Sequence, residues 1–128
     1  MRKPLSLAFA LALALAVPAA AQTYMGTYTA WIGQQDLYNS NGVRLTEPWQ
    51  IIRQDRANYH RFNRRDAGDA GDAWFHNADA RAALEQAVMN YGLDPASRQM
   101  ILQGGAWVQV DIYGYGNRVR QVAVAAYR

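Results

Sequence analysis

Residues 106–113 alternate without interruption: Ala106, Val108, Val110 and Ile112 share one side, and Trp107, Gln109, Asp111 and Tyr113 the other. Alternation with period two is the mark of a strand with one buried face. The Gly-Tyr-Gly-Asn run at 114–117 is a turn signal, because glycine and asparagine tolerate positive φ. Residues 119–127, rich in Val and Ala, supply a return strand. A C-terminal β-hairpin is therefore expected, and its apolar side needs a second layer to cover it.

Helices are expected to provide that layer. Thr46-Glu47-Pro48 reads as a helix start, with a capping hydroxyl, a carboxylate at the positive end of the dipole and a proline in the first turn. Trp49, Ile52, Tyr59 and Phe62 are expected to share its buried face, with Ile51 beside them and Arg53, Arg56 and Arg61 turned outward. Asn77 or Asp79 is placed to cap a second helix, in which Ala83, Leu84, Ala87, Val88 and Tyr91 form a buried stripe that ends at Gly92. Asp94-Pro95 opens a third helix that stops at Gly104-Gly105. Upstream, Thr23, Tyr24, Thr27, Tyr28, Thr29, Trp31 and Ile32 give residues 22–32 the chemistry of a strand. Asn39-Ser40-Asn41-Gly42 is a turn, and residues 43–45 read as a short returning strand. The fold class implied is α+β: a small antiparallel sheet of three to four strands with two or three helices packed on one face.

The first 21 residues stand apart. Arg2 and Lys3 precede an apolar run over 5–17, Pro18 interrupts it, and Ala19-Ala20-Ala21 follows. A positive start, an apolar middle and a small-residue exit make a cleavable signal peptide, and the run is shorter than the roughly 20 apolar residues a membrane span needs. Residues 22–128 are then expected to form a single globular domain in the periplasm or outside the cell, with no membrane span after cleavage. Loss of Arg2 and Lys3 leaves eleven arginines, no lysine and ten acidic residues. So near-neutral a balance offers no phosphate track, and nucleic acid is not an expected partner. The chain contains no cysteine, so neither a disulfide nor a thiol nucleophile enters the reading.

Three patterns carry possible chemistry. Asp66, Asp69 and Asp72 are three carboxylates in seven residues, separated by Ala-Gly pairs, and are weak candidates for a hard cation such as calcium. Their spacing is not that of the commonest calcium loop, so the loop is expected to be solvated, its aspartates capping turns and meeting Arg64 and Arg65. Residues 54–61 form the densest polar run, in which Asp55 and His60, with the Asp66, Asp69 and Asp72 loop, would make a small metal-assisted hydrolase. His60 and His76, the only histidines, would allow a zinc site if that loop folds back. Neither serine of the expected mature chain, Ser40 or Ser97, sits in a nucleophile elbow. The reading preferred is a non-catalytic exported domain that binds an envelope protein or glycan and needs no cofactor, with Arg56, Tyr59, His60, Arg64, Arg65 and Trp74 as its binding residues. Tyrosine, tryptophan and arginine favour recognition surfaces. Permanent docking into a larger assembly through an open sheet edge is a third possibility.

Overall fold

The structure, a computed structural model, describes residues 22–128; the expected leader lies outside the described residues. Strand β1 (Thr23–Ile32) leads through a short 3-10 turn (Gln34–Leu37) to helix α1 (Pro48–His60). Helices α2 (Ala78–Tyr91) and α3 (Pro95–Gln103) follow, then strands β2 (Ala106–Tyr115) and β3 (Arg118–Tyr127). The sheet is antiparallel in the order β1-β2-β3. The α+β class, the three helices on one face and the C-terminal hairpin agree with the expectation.

The strands follow their alternation. Tyr28, Ala30 and Ile32 on β1, Val108, Val110 and Ile112 on β2, and Val122 on β3 are buried in one cluster with Ile51, Ile52, Phe75, Leu84, Val88 and Ile101 from the helical side. The hairpin turn is tighter than expected, because pairing continues to Tyr115 opposite Arg118 and leaves only Gly116 and Asn117 between the strands. The 43–45 segment makes one isolated bridge, Tyr38 to Arg44, in place of a strand.

Local capping chemistry sets the helix ends. Asn77 Oδ1 accepts from the Ala80 N–H (2.8 Å) at the start of α2, and Asp94 Oδ1 from the Ser97 N–H (2.9 Å) at the start of α3. In α1 the cap position falls on Glu47, one residue after Thr46, and the Gln50 side chain accepts from the Glu47 N–H. Among the described residues no helix is long and apolar enough to cross a membrane.

The buried face of α1 differs from the expected one. Its buried residues are Pro48, Ile51, Ile52, Asp55, Arg56 and Asn58. Ile51, Ile52, Asp55 and Arg56 repeat at i, i+1, i+4 and i+5, which is one helical face regardless of polarity. Arg56, expected to point outward, is 0% exposed. Its Nε donates to Asp55 (2.8 Å), and its Nη1 donates to Asp72 Oδ2 (2.9 Å) and the Ala70 carbonyl (3.0 Å). The guanidinium carbon lies 4.1 Å from the Tyr28 ring centroid and 4.7 Å from that of Tyr59, so the cation is held between two aromatic faces.

Removing one member of a buried ion pair leaves the other charge uncompensated, at about 3–5 kcal/mol. Arg56→Met is therefore expected to lower stability by an amount of that order, read from the urea midpoint. Adding Asp55→Asn should restore part of it, because one stranded charge is then removed. A midpoint for Arg56→Met equal to that of the parent would show that the buried cation ties nothing together.

Candidate functional site

The side of the sheet that faces away from the helices carries an organised set of side chains. The register places Tyr24 opposite Tyr113, Thr27 opposite Asp111, Thr29 opposite Gln109 and Trp31 opposite Trp107. On β3, Gln121, Ala123, Ala125 and Tyr127 complete the same rows. Tyr24 and Tyr113 meet edge to face with centroids 5.6 Å apart, and Trp31 and Trp107 do so at 5.2 Å. Cross-strand aromatic pairs of this kind stabilise a sheet as well as presenting flat apolar surface. Six residues of strand separate the two pairs, about 20 Å at roughly 3.4 Å per residue. Between them lie Thr, Gln and one carboxylate, Asp111, which accepts from Gln109 Nε2 (3.2 Å).

The loop after α1 closes one end of this face. Asp69 Oδ1 accepts from the Trp31 N–H (2.7 Å), and the Ala70 N–H donates to the Thr29 carbonyl (2.9 Å). The loop thus occupies part of the otherwise unpaired edge of β1. Gly68, at φ +85°, lies against the Trp107 ring, where a Cβ would come within 2.6 Å of Cη2; only glycine suits both the backbone and the contact. The result is a recess of about 410 Å³ lined by Trp31, Trp107, Asp66 and Ala67. Asp66 Oδ2 points inward and is buried without a protein partner, in the space a Cβ on Gly33 would fill.

The six residues chosen from the sequence are distributed differently. Arg56 is interior and has no surface with which to meet a partner. Tyr59 is half-buried with the Arg65 guanidinium 4.0 Å from its ring centroid on the surface side. Tyr28, Arg56, Tyr59 and Arg65 thereby form alternating aromatic and cationic contacts from core to solvent. His60 Nε2 bonds Asp72 Oδ2 at 2.7 Å, and its ring lies 4.5 Å from that of the exposed His76. Trp74 is half-buried and covers Gly26 on β1, where a Cβ would meet its ring at 2.6 Å. Arg64 is exposed and stands beside Phe62, 5.8 Å from its ring centroid, apart from the histidines. Arg56, Tyr59, His60 and Arg65 therefore converge, while Trp74 and Arg64 lie to either side.

The aspartates of the loop do not meet Arg64 and Arg65. Asp69 accepts from the N–H groups of Trp31 and Asp66. Asp72 accepts from Arg56, His60 and the N–H groups of Trp74 and Phe75. Burial works to raise the Asp72 pKa, but His60, the backbone N–H donors of Phe75 and Trp74, and Arg56 together hold it below the usual carboxylate range. Burial pulls the His60 pKa below its ordinary value against the opposing pull of Asp72. Asp55, 2% exposed, is turned into the core against Arg56. Among the described residues no group of three or more His, Asp or Glu side chains is arranged to hold a metal ion.

The recess residues Trp31 and Trp107 were not among those the sequence singled out. The available signal was the polar and aromatic side of the 106–113 alternation, which becomes informative once no second layer covers it. Comparison with protein families, with curated proteins and with solved structures gives no match, so the functional reading rests on this geometry.

Asp36 adds a titration to the interior. It is 1% exposed, accepts from Asn58 Nδ2 (2.9 Å) and the Gly33 N–H (2.9 Å), and touches no cation. Burial first, then the charge of Asp55, pushes its pKa up to about 8, against those two hydrogen bonds. The folded state therefore keeps a proton that the unfolded chain has released by about pH 4, and stability falls as pH rises toward 8. His60 acts in the opposite sense, adding stability as pH rises toward about 6.5, while Asp55, raised to about 7 by burial, acts in the same sense as Asp36, so the Asp36 contribution is the part of the slope above pH 6.5 that Asp36→Asn removes. Between pH 6.5 and 9 the melting temperature is expected to drop by several degrees, about 4–8 °C per kcal/mol. Asp36→Asn should be less stable at pH 5, having lost one acceptor, and should flatten the slope above 6.5. An equally steep slope in that variant would exclude Asp36 as its source.

Proposed function

We propose that residues 22–128 are an exported, non-catalytic recognition domain whose open sheet face binds an envelope glycan. The observation that carries this reading is the pairing of Trp31 with Trp107 beside a recess, and of Tyr24 with Tyr113 further along the same uncovered face. Sugars present apolar C–H faces that lie on aromatic rings and a rim of hydroxyls that needs donors and acceptors. Thr27, Thr29, Gln109, Asp111 and Gln121 supply the latter from the rows between the rings. A protein partner would favour a desolvated apolar centre, whereas the centre of this face is Thr, Gln, Ala and the carboxylate of Asp111.

The engagement of Asp55, Asp69 and Asp72 with Arg56, His60 and backbone N–H groups supports binding over metal-assisted hydrolysis, because those carboxylates already have their partners. The leader composition supports export, and the mature chain is expected to begin at Gln22 by mass measurement of the protein recovered outside the cytoplasm.

Binding is tested by co-sedimentation of the mature domain with insoluble envelope polysaccharide. Trp31→Ala and Trp107→Ala should each weaken retention by about tenfold, which is about 1.4 kcal/mol, with a thermal melt that shows each variant folded. Tyr91→Ala, an exposed change on α2 away from the face, should retain the parent's affinity. Retention unaffected by both tryptophan changes would remove the open face as the binding surface, and a shift to dimer on those faces in sedimentation velocity would assign it to a second copy of the chain.

A further inference from the structure

A second cleft lies on the helical side, between the 38–42 turn and the C-terminal half of α1. It encloses about 290 Å³, just below the lower end of typical small-molecule sites, so it suits one small ring and not an extended chain. Tyr38, 41% exposed, and Phe62 are its aromatic walls. Its floor is a fixed amide relay. Asn58, 1% exposed, donates to Asp36 Oδ1 and to the Gln35 carbonyl, and its own oxygen accepts from Gln54 Nε2 at 2.9 Å. Asn58 is thereby saturated. Gln54 is oriented by that bond, and its side-chain carbonyl oxygen accepts no hydrogen bond among the described residues.

The rim is preorganised as well. Asn39 Oδ1 accepts from the N–H groups of Asn41 and Val43, which fixes the turn. Arg64 is anchored through its backbone N–H to the Asn58 carbonyl (2.7 Å). Its guanidinium stands beside Phe62, with no carboxylate within ion-pair distance among the described residues. Arg44, outside the cleft and 5.8 Å from the Tyr38 ring centroid, has its guanidinium committed to the carbonyls of Leu37, Leu45 and Leu102. The cleft therefore offers two aromatic walls, an amide floor and one uncompensated guanidinium.

We propose that this cleft binds a single hydroxyl-rich ring bearing one anionic group, an acidic sugar unit. The walls take the apolar face of the ring, Gln54 takes its hydroxyls, and Arg64 takes the anion through a paired N–H contact. The assignment does not rest on the open-face reading, since the two surfaces belong to different layers. A carboxylate and a phosphate fit a guanidinium alike, and the source of the anion is left to the experiment.

The mature domain is titrated with glucuronate, glucose 6-phosphate and glucose while backbone amide shifts are followed by NMR. The expected result is saturable movement of the Tyr38, Gln54 and Arg64 signals at roughly millimolar ligand for at least one of the two anions, and at least about tenfold weaker binding of glucose. A response to glucuronate alone identifies a carboxylated sugar, to the phosphate alone a phosphorylated one, and to both an anionic sugar in general. Arg64→Ala, an exposed site that leaves the fold intact, should weaken the anion by about tenfold or more, as should Gln54→Ala. Trp107→Ala should leave it unchanged. No movement with either anion, glucose bound as well as the anions, or an Arg64→Ala variant that binds like the parent would each overturn the proposal.

Discussion

A single buried cation organises the interior. Arg56 leaves α1 and reaches Tyr28 on β1, Asp55 on its own helix, and Asp72 and Ala70 on the following loop. Transfer of a guanidinium out of water costs several kcal/mol, which a single pair rarely recovers. Here two carboxylates, one carbonyl and two aromatic faces share the task. A lysine in its place would bring a point charge with no plane to lie between the rings and no fork to span both carboxylates. The loop held by this contact is the one that covers the edge of β1 and shapes the recess beside Trp107. The geometry of the open face therefore depends on a charge on the other side of the sheet.

The same arrangement explains how a chain without cysteine orders a long, glycine-rich loop. Asp69 and Asp72 each accept backbone N–H groups, so the loop's own donors are satisfied by its own acids. Charge-assisted bonds to backbone are stronger than neutral ones, and they hold the loop in a chain that has no disulfide. The consequence is a crowded acidic interior. Asp36 and Asp55 are both buried, and burial raises both, Asp55 to about 7 even against the nearby Arg56. Protonation of Asp36 relieves that crowding, which is why the fold is expected to favour mildly acidic over alkaline conditions.

What the sequence disclosed and what it withheld divide along the range of the interactions. The hairpin, the Asn77 and Asp94 caps and the glycine stops after α2 and α3 depend on residues within one turn of one another, and each was legible. Arg56 falls on the outward side when apolar residues alone define the buried face of α1. The helical period runs equally well through Asp55 and Arg56, and only partners 14 and 16 residues away make that face the inner one. The 43–45 segment stops at one bridge for a similar reason: its backbone bonds reach only Leu37 and Asn39 on either side of Tyr38, and the 3-10 turn that precedes them offers no strand along which pairing could extend. Trp31 and Trp107 were visible as aromatics, but their role depends on the helices all lying on one side of the sheet, a property of the whole chain.

That one-sided layering is also what makes the sheet suitable for recognition. A three-stranded antiparallel sheet can leave one face wet, provided that face has polar residues enough to remain soluble. Thr27, Thr29, Gln109 and Gln121 meet that requirement, and they separate the two aromatic pairs so that no single apolar patch spans the face. Side chains on strands are placed more firmly than side chains on loops, and cross-strand contact fixes each ring against its partner. The rings are thus held at a set spacing before any ligand arrives, which reduces the ordering cost of binding. The helical side follows another plan, a small cleft whose amide floor is locked from beneath by Asp36. Exposure on one layer and enclosure on the other suit different ligands, a chain laid along a surface and a single ring held in a cleft.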